Sequence, residues 1–209
     1  IEYLKIIARH LLNKERLASK EYILKGHHRS IRHIIKHAAM LLPNSVNEYH
    51  RLVARYSLEQ QFRCIPNGID PTLFRTDTAT DKDGNLVIQV ARIEGVKNQL
   101  NLIKALRNTR FQLYLIGSPA PNQPDYYQQC RSLATPNITF LDNMPQEELL
   151  HYYSKAKVHV LPSWFETTGL SSLEAAAMGC NIVISNKGDV KEYFGEDAFY
   201  CDPGTPASI

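Results

Sequence analysis

The chain has 209 residues, of which 44% are hydrophobic and 22% charged, with a formal net charge of +3. This composition excludes a disordered or collagen-like chain and is typical of a folded protein with one large or two small cores. The longest uninterrupted apolar run, 38–42, is far shorter than the roughly 20 residues that span a bilayer. The four cysteines are scattered without a C-x-x-C pair. Neither a zinc site nor a disulfide framework is therefore predicted, as in a reducing cytosol.

Positive charge is concentrated in the first third of the chain. Residues 1–65 contain 12 Lys/Arg and 5 Asp/Glu, whereas the remainder contains 12 and 16. A basic segment of this kind can meet an anionic membrane or a nucleic acid. The sequence starts at Ile1 with no signal-like stretch after it, and we expect it to be part of a longer protein.

Helices dominate the prediction for this basic region. Residues 1–18 follow an amphipathic helical pattern, Gly26 interrupts it, and a second helix is expected from about Arg29. His33 and His37 lie four residues apart in this second helix, which is a spacing seen in metal sites. No third ligand accompanies them, so a solvated basic face is favoured over a metal centre.

Shorter elements lead from the basic region into a linker. They are a strand over 39–43, a helix from Asn44 or Ser45 to about Tyr56, and a strand over 62–65. The Pro-Asn-Gly sequence at 66–68 predicts a turn. Residues 71–84 are polar and predicted to be a linker. Asp81 and Asp83 form a D-x-D pattern there, but this charged setting argues against a metal site.

From Asn85 onward, apolar strands alternate with helical patterns. The predicted strands are 86–91, 111–116, 138–141, 158–161, 182–185 and 198–201. The predicted helices between them are 97–107, 125–133, 146–156 and 169–178. This alternation predicts an α/β fold, a Rossmann-like parallel sheet flanked by helices. Ligands bind such sheets beyond the carboxyl ends of the strands, where Arg92, Gly117 and Glu166 would emerge.

The densest group of candidate site residues follows the predicted strand at 158–161. A loop leads into an Ala-rich helix that stops at Gly179, and a helix start offers an anion free N–H groups and a positive dipole end. Glu166 and Glu174 bracket this helix start, and the Glu174 carboxylate is expected to lean back toward the loop that carries Glu166. Ser171-x-x-Glu174 also matches a capping box, in which Glu174 only satisfies a backbone N–H. These residues alone leave both functions of Glu174 open.

Two cations follow the first predicted strand of the alternating region. Arg92 stands at the strand end and Lys97 at the start of the next helix. Together they could hold a diphosphate, the arginine as a fork and the lysine as a point charge. A pair of ordinary surface charges is the alternative. His151 and His159 have no Ser or Cys partner at a recognisable spacing, and His159 is predicted to be a satisfied strand residue.

Jointly, these motifs resemble the retaining GT-B glycosyltransferases of family 4. Six elements occur in the family's order, namely Pro66 to Asp70, Arg92 to Lys97, Leu115 to Gly117, Leu161 to Ser163, Gly169-Leu170, and the E-x7-E pair Glu166 and Glu174. The resemblance covers about 41–203. It implies that 85–209 form the donor-binding domain in the C-terminal half of a GT-B fold. Residues 1–70 would then be a mostly helical remnant of the N-terminal acceptor domain, with 71–84 as linker.

The resemblance also implies a function for each matching residue. Arg92 and Lys97 would hold the donor diphosphate and stabilise the leaving nucleotide, and Glu166 would face the donor sugar. The other expected donor contacts are Gly117, the backbone around Leu141 and Asp142 at the nucleobase, the N–H groups of Thr168, Gly169 and Leu170 at phosphate, and Glu174 at the ribose hydroxyls. Two departures weaken the match, since Asn98 and Ser118-Pro119-Ala120 stand where the family often has glycine.

The activity implied is transfer of a sugar from a nucleoside diphosphate sugar to an acceptor glycan or lipid-linked sugar, with retention and without a metal or other cofactor. It would serve polysaccharide or glycolipid synthesis in the cytoplasm, with peripheral contact to the inner membrane face through the basic segment and no nucleic-acid partner. This chain alone is expected to bind the donor but to turn over poorly. Two alternatives are a same-fold nucleotide-sugar epimerase, which should carry further acid/base groups, and a non-catalytic nucleotide- or nucleic-acid-binding module, which lacks aromatic interleaving here.

Overall fold

The computed structural model describes residues 20–76 and 81–209. The chain forms two compact units, Ile1–Ile65 and Pro66–Ile209. The helix predicted over 1–18 lies outside the described residues. Within the described ranges, no helix combines the length and the apolarity needed to cross a membrane.

The described part of the first unit contains two helices. Helix α1 spans Lys20–His37 and is kinked at Gly26, where φ is 81° and ψ is 159°, which agrees with the predicted interruption. Helix α2 spans Val46–Tyr56, and the hydroxyl of its N-cap Ser45 accepts a hydrogen bond from the backbone N–H of Glu48. The helix predicted from Asn44 or Ser45 to Tyr56 is thus confirmed.

The two strands predicted in this unit are wrong as regular elements. Only an isolated parallel bridge joins Leu41 to Phe62. Its backbone hydrogen bonds run from Leu41 N–H to the carbonyl of Gln61 and from Arg63 N–H to the carbonyl of Leu41. Pro43 accepts from Ile65 but has no N–H to donate, so the ladder cannot continue on its far side.

The second unit is built on one sheet of six parallel strands. The strands are β1 Asp83–Val90, β2 Gln112–Ile116, β3 Ile138–Leu141, β4 Ala156–Leu161, β5 Asn181–Ser185 and β6 Phe199–Cys201. Their spatial order is β3-β2-β1-β4-β5-β6, so the sheet grows in opposite directions from β1 and β4. This confirms the predicted Rossmann-like α/β fold and places a topological switch point between β1 and β4, where such sheets bind ligands.

Each connection between successive strands contains a helix. These helices are α3 Gln99–Leu106, α4 Pro124–Leu133, α5 Gln146–Lys155, α6 Leu170–Ala177 and α7 Val190–Phe194, with 3-10 turns at Gly95–Lys97 and Pro206–Ser208. The helix expected from Lys97 begins two residues later, because Asn98 adopts a left-handed conformation with φ 60°. Helix α7 and both 3-10 turns escaped prediction, since each is too short to show a period.

Apolar side chains cover both faces of this sheet. Ile88, Ile116 and Ile184 belong to one buried cluster together with residues of α5, α6 and α7. Leu113 and Leu115 belong to the opposite cluster with residues of α3 and α4. Strands covered on both faces read as nearly continuous apolar runs, which is why most strands were recognisable in the sequence.

The predicted linker ends in a structural contact. Lys82 donates from Nζ to the carbonyls of Tyr153 at 2.9 Å and Ala156 at 3.0 Å, at the end of α5. A cation at a helix C-terminus interacts favourably with the carbonyl groups and the dipole there. Asp83 already belongs to β1, so this part of the D-x-D pattern serves the fold.

Candidate functional site

The loops that follow β1 and β4 meet at the switch point of the sheet. We call residues 91–98 the β1 loop and 162–169 the β4 loop. Lys97 Nζ of the first lies 2.6 Å from Glu166 Oε2 of the second, and their side chains are 23% and 12% exposed. Ser163 donates to the same carboxylate oxygen at 3.4 Å. Two predicted site residues that are 69 positions apart are therefore in direct contact.

A cavity of about 270 Å³ opens beside this ion pair. Its lining includes Lys97, Glu166, Asn67 and residues 167–171, which contain the predicted residues Thr168, Gly169 and Leu170. Helix α6 starts here, and its first intrahelical bonds are made by Ser172 and Leu173 to the Gly169 carbonyl. The N–H groups of Leu170 and Ser171 precede those bonds and have no acceptor within the helix. The cavity thus combines a cation, a carboxylate and the positive end of a helix.

Asn67 lies in the Pro66–Asp70 element of the family resemblance, but the sequence assigned it no role at the site. Its side-chain amide donates to Thr168 Oγ1 at 2.9 Å, and its backbone N–H donates to the Tyr193 hydroxyl at 3.1 Å. Thr168 is only 2% exposed, so this bond fixes the loop just before α6. The Pro-Asn-Gly sequence predicts only a turn, and no spacing rule relates it to a loop 101 positions away.

The loop after β5 holds Glu166 in place. The backbone of Glu166 donates to the Lys187 carbonyl at 3.1 Å and accepts from Asp189 N–H at 2.9 Å. Gly188 between them has φ 98°, and a Cβ there would lie 2.0 Å from the Glu166 carbonyl oxygen. Only glycine fits this close backbone approach. The sequence offered one signal, a glycine just after a predicted strand, and it was not used.

Gly117 makes the equivalent approach on the other side of the switch point. Its φ is 145°, and a Cβ there would lie 2.3 Å from the carbonyl oxygen of Ala91. Beyond it, the backbone of Ile93 pairs with the loop after β2, donating to the carbonyl of Ser118 and accepting from Ala120 N–H, both at 3.0 Å. The close approach at Gly117 is thus made to the backbone of the β1 loop.

Arg92 faces a second cavity, of about 690 Å³, which Gly117 and Asn143 also line. Val90 and Ala91 line both cavities, so the two are adjacent. The Arg92 side chain is 64% exposed, and its ion pair with Glu94 is long, at 3.8 Å. Arg92 and Lys97 were expected to act as one pair, and they line neighbouring cavities.

Leu141 contributes to this region through its backbone. Its carbonyl accepts a hydrogen bond from Gly117 N–H at 2.9 Å, and its side chain packs at the edge of the core. The residue two positions later, Asn143, lines the second cavity. A nucleobase contact expected at Leu141 and Asp142 therefore has a polar side chain nearby that the sequence reasoning did not single out.

Glu174 faces helix α5. Its Oε2 accepts from the Tyr153 hydroxyl at 2.8 Å and its Oε1 from the Gln146 side-chain amide at 3.1 Å. Burial raises the pKa of Glu174, and these two hydrogen bonds partly offset that effect. The N-cap of α6 is Gly169 and has no side-chain cap. The capping-box alternative is therefore wrong, and the carboxylate is turned toward α5 instead of the loop that carries Glu166.

His159 is a structural residue, as predicted. It is fully buried, its Nε2 lies 3.4 Å from the Val90 N–H of β1, and its Nδ1 lies 3.2 Å from Ser172 Oγ of α6. Because Nε2 accepts a backbone hydrogen bond, we assign the proton to Nδ1. Desolvation lowers the pKa of His159 to about 3. A neutral imidazole therefore joins the two central strands to α6.

Comparison with known proteins agrees with this geometry. The family model described as "Glycosyl transferases group 1" matches residues 71–209. A D-inositol 3-phosphate glycosyltransferase from Acidothermus cellulolyticus is 27% identical over 200 residues, which cover 83% of this chain and 44% of the relative.

Solved structures share the fold. Anabaena HepE in complex with UDP and glucose superposes with a TM-score of 0.74 at 20% identity, over 88% of this chain and 56% of that one. Sucrose-phosphate synthase from Thermosynechococcus elongatus gives 0.72 at 22% identity, over 97% and 54%. The chain thus spans about half the length of these proteins. With a parallel sheet, a switch-point site and a family match over 71–209, the chain belongs to the group 1 family of glycosyl transferases.

Proposed function

We propose that this chain is the donor-binding part of a glycosyltransferase that moves a sugar from a nucleoside diphosphate sugar to an acceptor hydroxyl. One observation carries the proposal. Lys97, Glu166 and the N-terminus of α6 line a single cavity at the β1/β4 switch point. A diphosphate needs cations and free N–H groups, and a sugar needs carboxylate acceptors. This cavity supplies a cation, free N–H groups and a carboxylate together.

The charges divide the work of the reaction. Lys97 and the start of α6 would bind the diphosphate, with Arg92 reaching it from the adjacent cavity. As the glycosidic bond breaks, negative charge grows on the departing nucleotide, and preorganised cations stabilise that charge. These protein cations support a reaction without a metal. The proposed retention at the anomeric carbon is supported by the family resemblance alone.

The carboxylates would orient the donor. Glu166 uses Oε2 for Lys97 and Ser163, and a carboxylate offers about four acceptor positions in all. The remaining positions would accept hydroxyls of the donor sugar. Glu174 lies one turn after Ser171, which lines the cavity, and would accept the ribose hydroxyls. Gly117 and the backbone near Leu141 would border the nucleobase.

The donor class is supported by structural neighbours, since Anabaena HepE was solved with UDP and glucose and with UDP-glucose. For the acceptor, we propose a glycan or a lipid-linked sugar, in polysaccharide or glycolipid synthesis on the cytoplasmic side. The excess of Lys/Arg over Asp/Glu in residues 1–65 supports peripheral contact with an anionic membrane face.

Calorimetric titration of the chain with UDP-, GDP- and ADP-sugars tests the donor site. We expect saturable binding of one nucleotide class and weaker binding by Glu174→Ala. Glu147→Ala is the matched control, because Glu147 is an exposed carboxylate of α5. No binding of any nucleotide by a chain that is folded by circular dichroism would refute the proposal.

The same protein tests the transferase assignment. Because the chain spans about half the length of its relatives, we expect it to bind donor but to transfer sugar poorly by itself. Transfer is measured as release of the nucleoside diphosphate, with and without added acceptor glycans. Turnover by this chain at the rate of a full-length relative would contradict the expectation.

A further inference from the structure

We propose that Tyr153 and Gln146 on α5 are positioning residues that aim the Glu174 carboxylate at the donor ribose. The inference rests on the proposed function. Sequence patterns identify the Glu174 carboxylate as the hydrogen-bond acceptor for the ribose, but they do not show what holds its orientation. Neither Tyr153 nor Gln146 belongs to any of the site motifs in the sequence.

Tyr153 and Gln146 each donate a hydrogen bond to a different oxygen of the Glu174 carboxylate. Tyr153 donates to Oε2 at 2.8 Å and Gln146 donates to Oε1 at 3.1 Å. Each oxygen of a carboxylate has two lone-pair directions, so one direction on each oxygen is used by α5. One lone-pair direction remains on each oxygen, and in our proposal these two accept a pair of neighbouring hydroxyls. A ribose presents such a pair.

Tyr153 is rigidly held. The residue is 0% exposed, and its ring packs edge-on against Phe74 with centroids 6.2 Å apart. Its carbonyl accepts from Lys82 Nζ at 2.9 Å and from the Cys180 thiol at 3.2 Å. Backbone and ring are thus fixed independently of Glu174, so the hydroxyl is a fixed reference point for the carboxylate.

Packing alone does not explain why Tyr153 carries a hydroxyl group. Phenylalanine would fill the same apolar space, and burying a hydroxyl costs free energy unless it is hydrogen-bonded. The bonded partner here is a carboxylate whose own burial is unfavourable. Burial also raises the pKa of Tyr153 above its usual range, so the phenol stays a donor whenever Glu174 is ionised.

Paired nucleotides test this directly. The probes are UDP, GDP and ADP, each with its 2′-deoxy form, titrated into wild type, Tyr153→Phe and Gln146→Ala. Wild type is expected to favour the ribose form of one pair by about tenfold. Tyr153→Phe should reduce that ratio severalfold, and Gln146→Ala less, because Gln146 is exposed.

Tyr126→Phe is the matched control. Tyr126 is a partly buried phenol of the same unit whose hydroxyl accepts from Leu100 N–H at 3.2 Å and bonds Gln99 at 3.3 Å. The substitution removes a hydroxyl of the same kind that has no contact with Glu174. The ratio of ribose to deoxyribose nucleotide affinity should therefore stay at the wild-type value. Gln146→Ala alters an exposed side chain and keeps the test valid should Tyr153→Phe fail to fold.

The possible results distinguish a positioning role for Tyr153 and Gln146 from a purely structural one. A ratio that falls in Tyr153→Phe or Gln146→Ala and not in Tyr126→Phe supports positioning. Equal weakening of both nucleotide forms in both α5 variants shows a purely structural role and overturns the inference, while the donor site stands. A wild-type ratio that Glu174→Ala leaves unchanged overturns it too, because Glu174 then does not bind the ribose. No nucleotide binding by folded wild type overturns the proposed function itself.

Discussion

The β1 loop and the β4 loop have similarly braced backbones, but their side chains differ in how tightly they are held. Each leaves a central strand at the switch point, and each is braced by a glycine from the next strand outward. Gly117 approaches the β1 loop at Ala91, and Gly188 approaches the β4 loop at Glu166, with Cβ clearances of 2.3 and 2.0 Å. Both backbones are therefore fixed by contacts that a side chain would prevent.

The side chains that these loops carry differ in freedom. Glu166 is 12% exposed and bonded to Lys97, whereas Arg92 is 64% exposed with only a 3.8 Å ion pair. A side chain held in place before the ligand arrives loses little entropy on binding, while a free arginine can follow a moving phosphate. The β4 loop is thus preorganised, and the β1 loop combines a rigid backbone with one adaptable cation.

Gly188→Ala should have the largest effect on this arrangement. The added methyl would overlap the Glu166 carbonyl at a backbone conformation unfavourable for alanine, with φ 98°. We expect unfolding free energy to fall by at least about 3 kcal/mol, measured by urea denaturation. Gly84→Ala is the control, because a Cβ at Gly84 meets nothing within 4 Å. A Gly188→Ala protein as stable as Gly84→Ala would disprove the brace.

Lys97→Met should come next. It leaves the mostly buried Glu166 carboxylate with the 3.4 Å bond from Ser163 as its remaining described side-chain partner, and removing one partner of a buried pair is costly. Because Lys97 is 23% exposed, we expect a loss of about 2 kcal/mol in unfolding free energy. The double variant with Glu166→Gln should recover part of it. Purely additive losses in that cycle would show that the pair is not coupled.

His159 links the strands that carry the two loops, and its effect depends on pH. The unfolded pKa is 6.5 and the folded pKa about 3, so between these values the unfolded chain binds a proton that the folded chain does not. Stability from this group is complete above pH 6.5 and is lost as the pH falls, by up to about 1.4 kcal/mol per unit. His159→Gln should flatten the slope of unfolding free energy between pH 6.5 and 5, and His151→Gln, at an exposed position, should not.

The strands and the positions of the switch-point loops could be predicted from the sequence, because they depend on local patterns. Strands buried on both faces show as apolar runs, and the predicted span of β3 is the observed one, Ile138–Leu141. The Ser45 cap was likewise legible. The short elements were not predicted, because a helix such as α7, with five residues, is too short to display a helical period.

The contacts around the site depend on distant partners, and the sequence could not supply them. The bond from Asn67 to Thr168 spans 101 positions, and the orientation of Glu174 is set by α5, which helical geometry within α6 cannot anticipate. A lean toward the helix N-terminus is the local rule. Two donors on a neighbouring helix override it here.

Arg92→Ala should be the mildest change to the fold and is the sharpest test of the comparison. An exposed side chain with one long ion pair contributes little stability, so unfolding free energy should change by less than about 0.5 kcal/mol. If Arg92 serves the ligand, nucleotide diphosphate affinity should nevertheless fall by about tenfold, as for one charged hydrogen bond. Arg107→Ala, at an exposed C-cap of α3, removes an equal charge and should change neither quantity. A loss of stability without a loss of affinity would make Arg92 a structural residue, and the contrast between a preorganised and an adaptable loop would then be wrong.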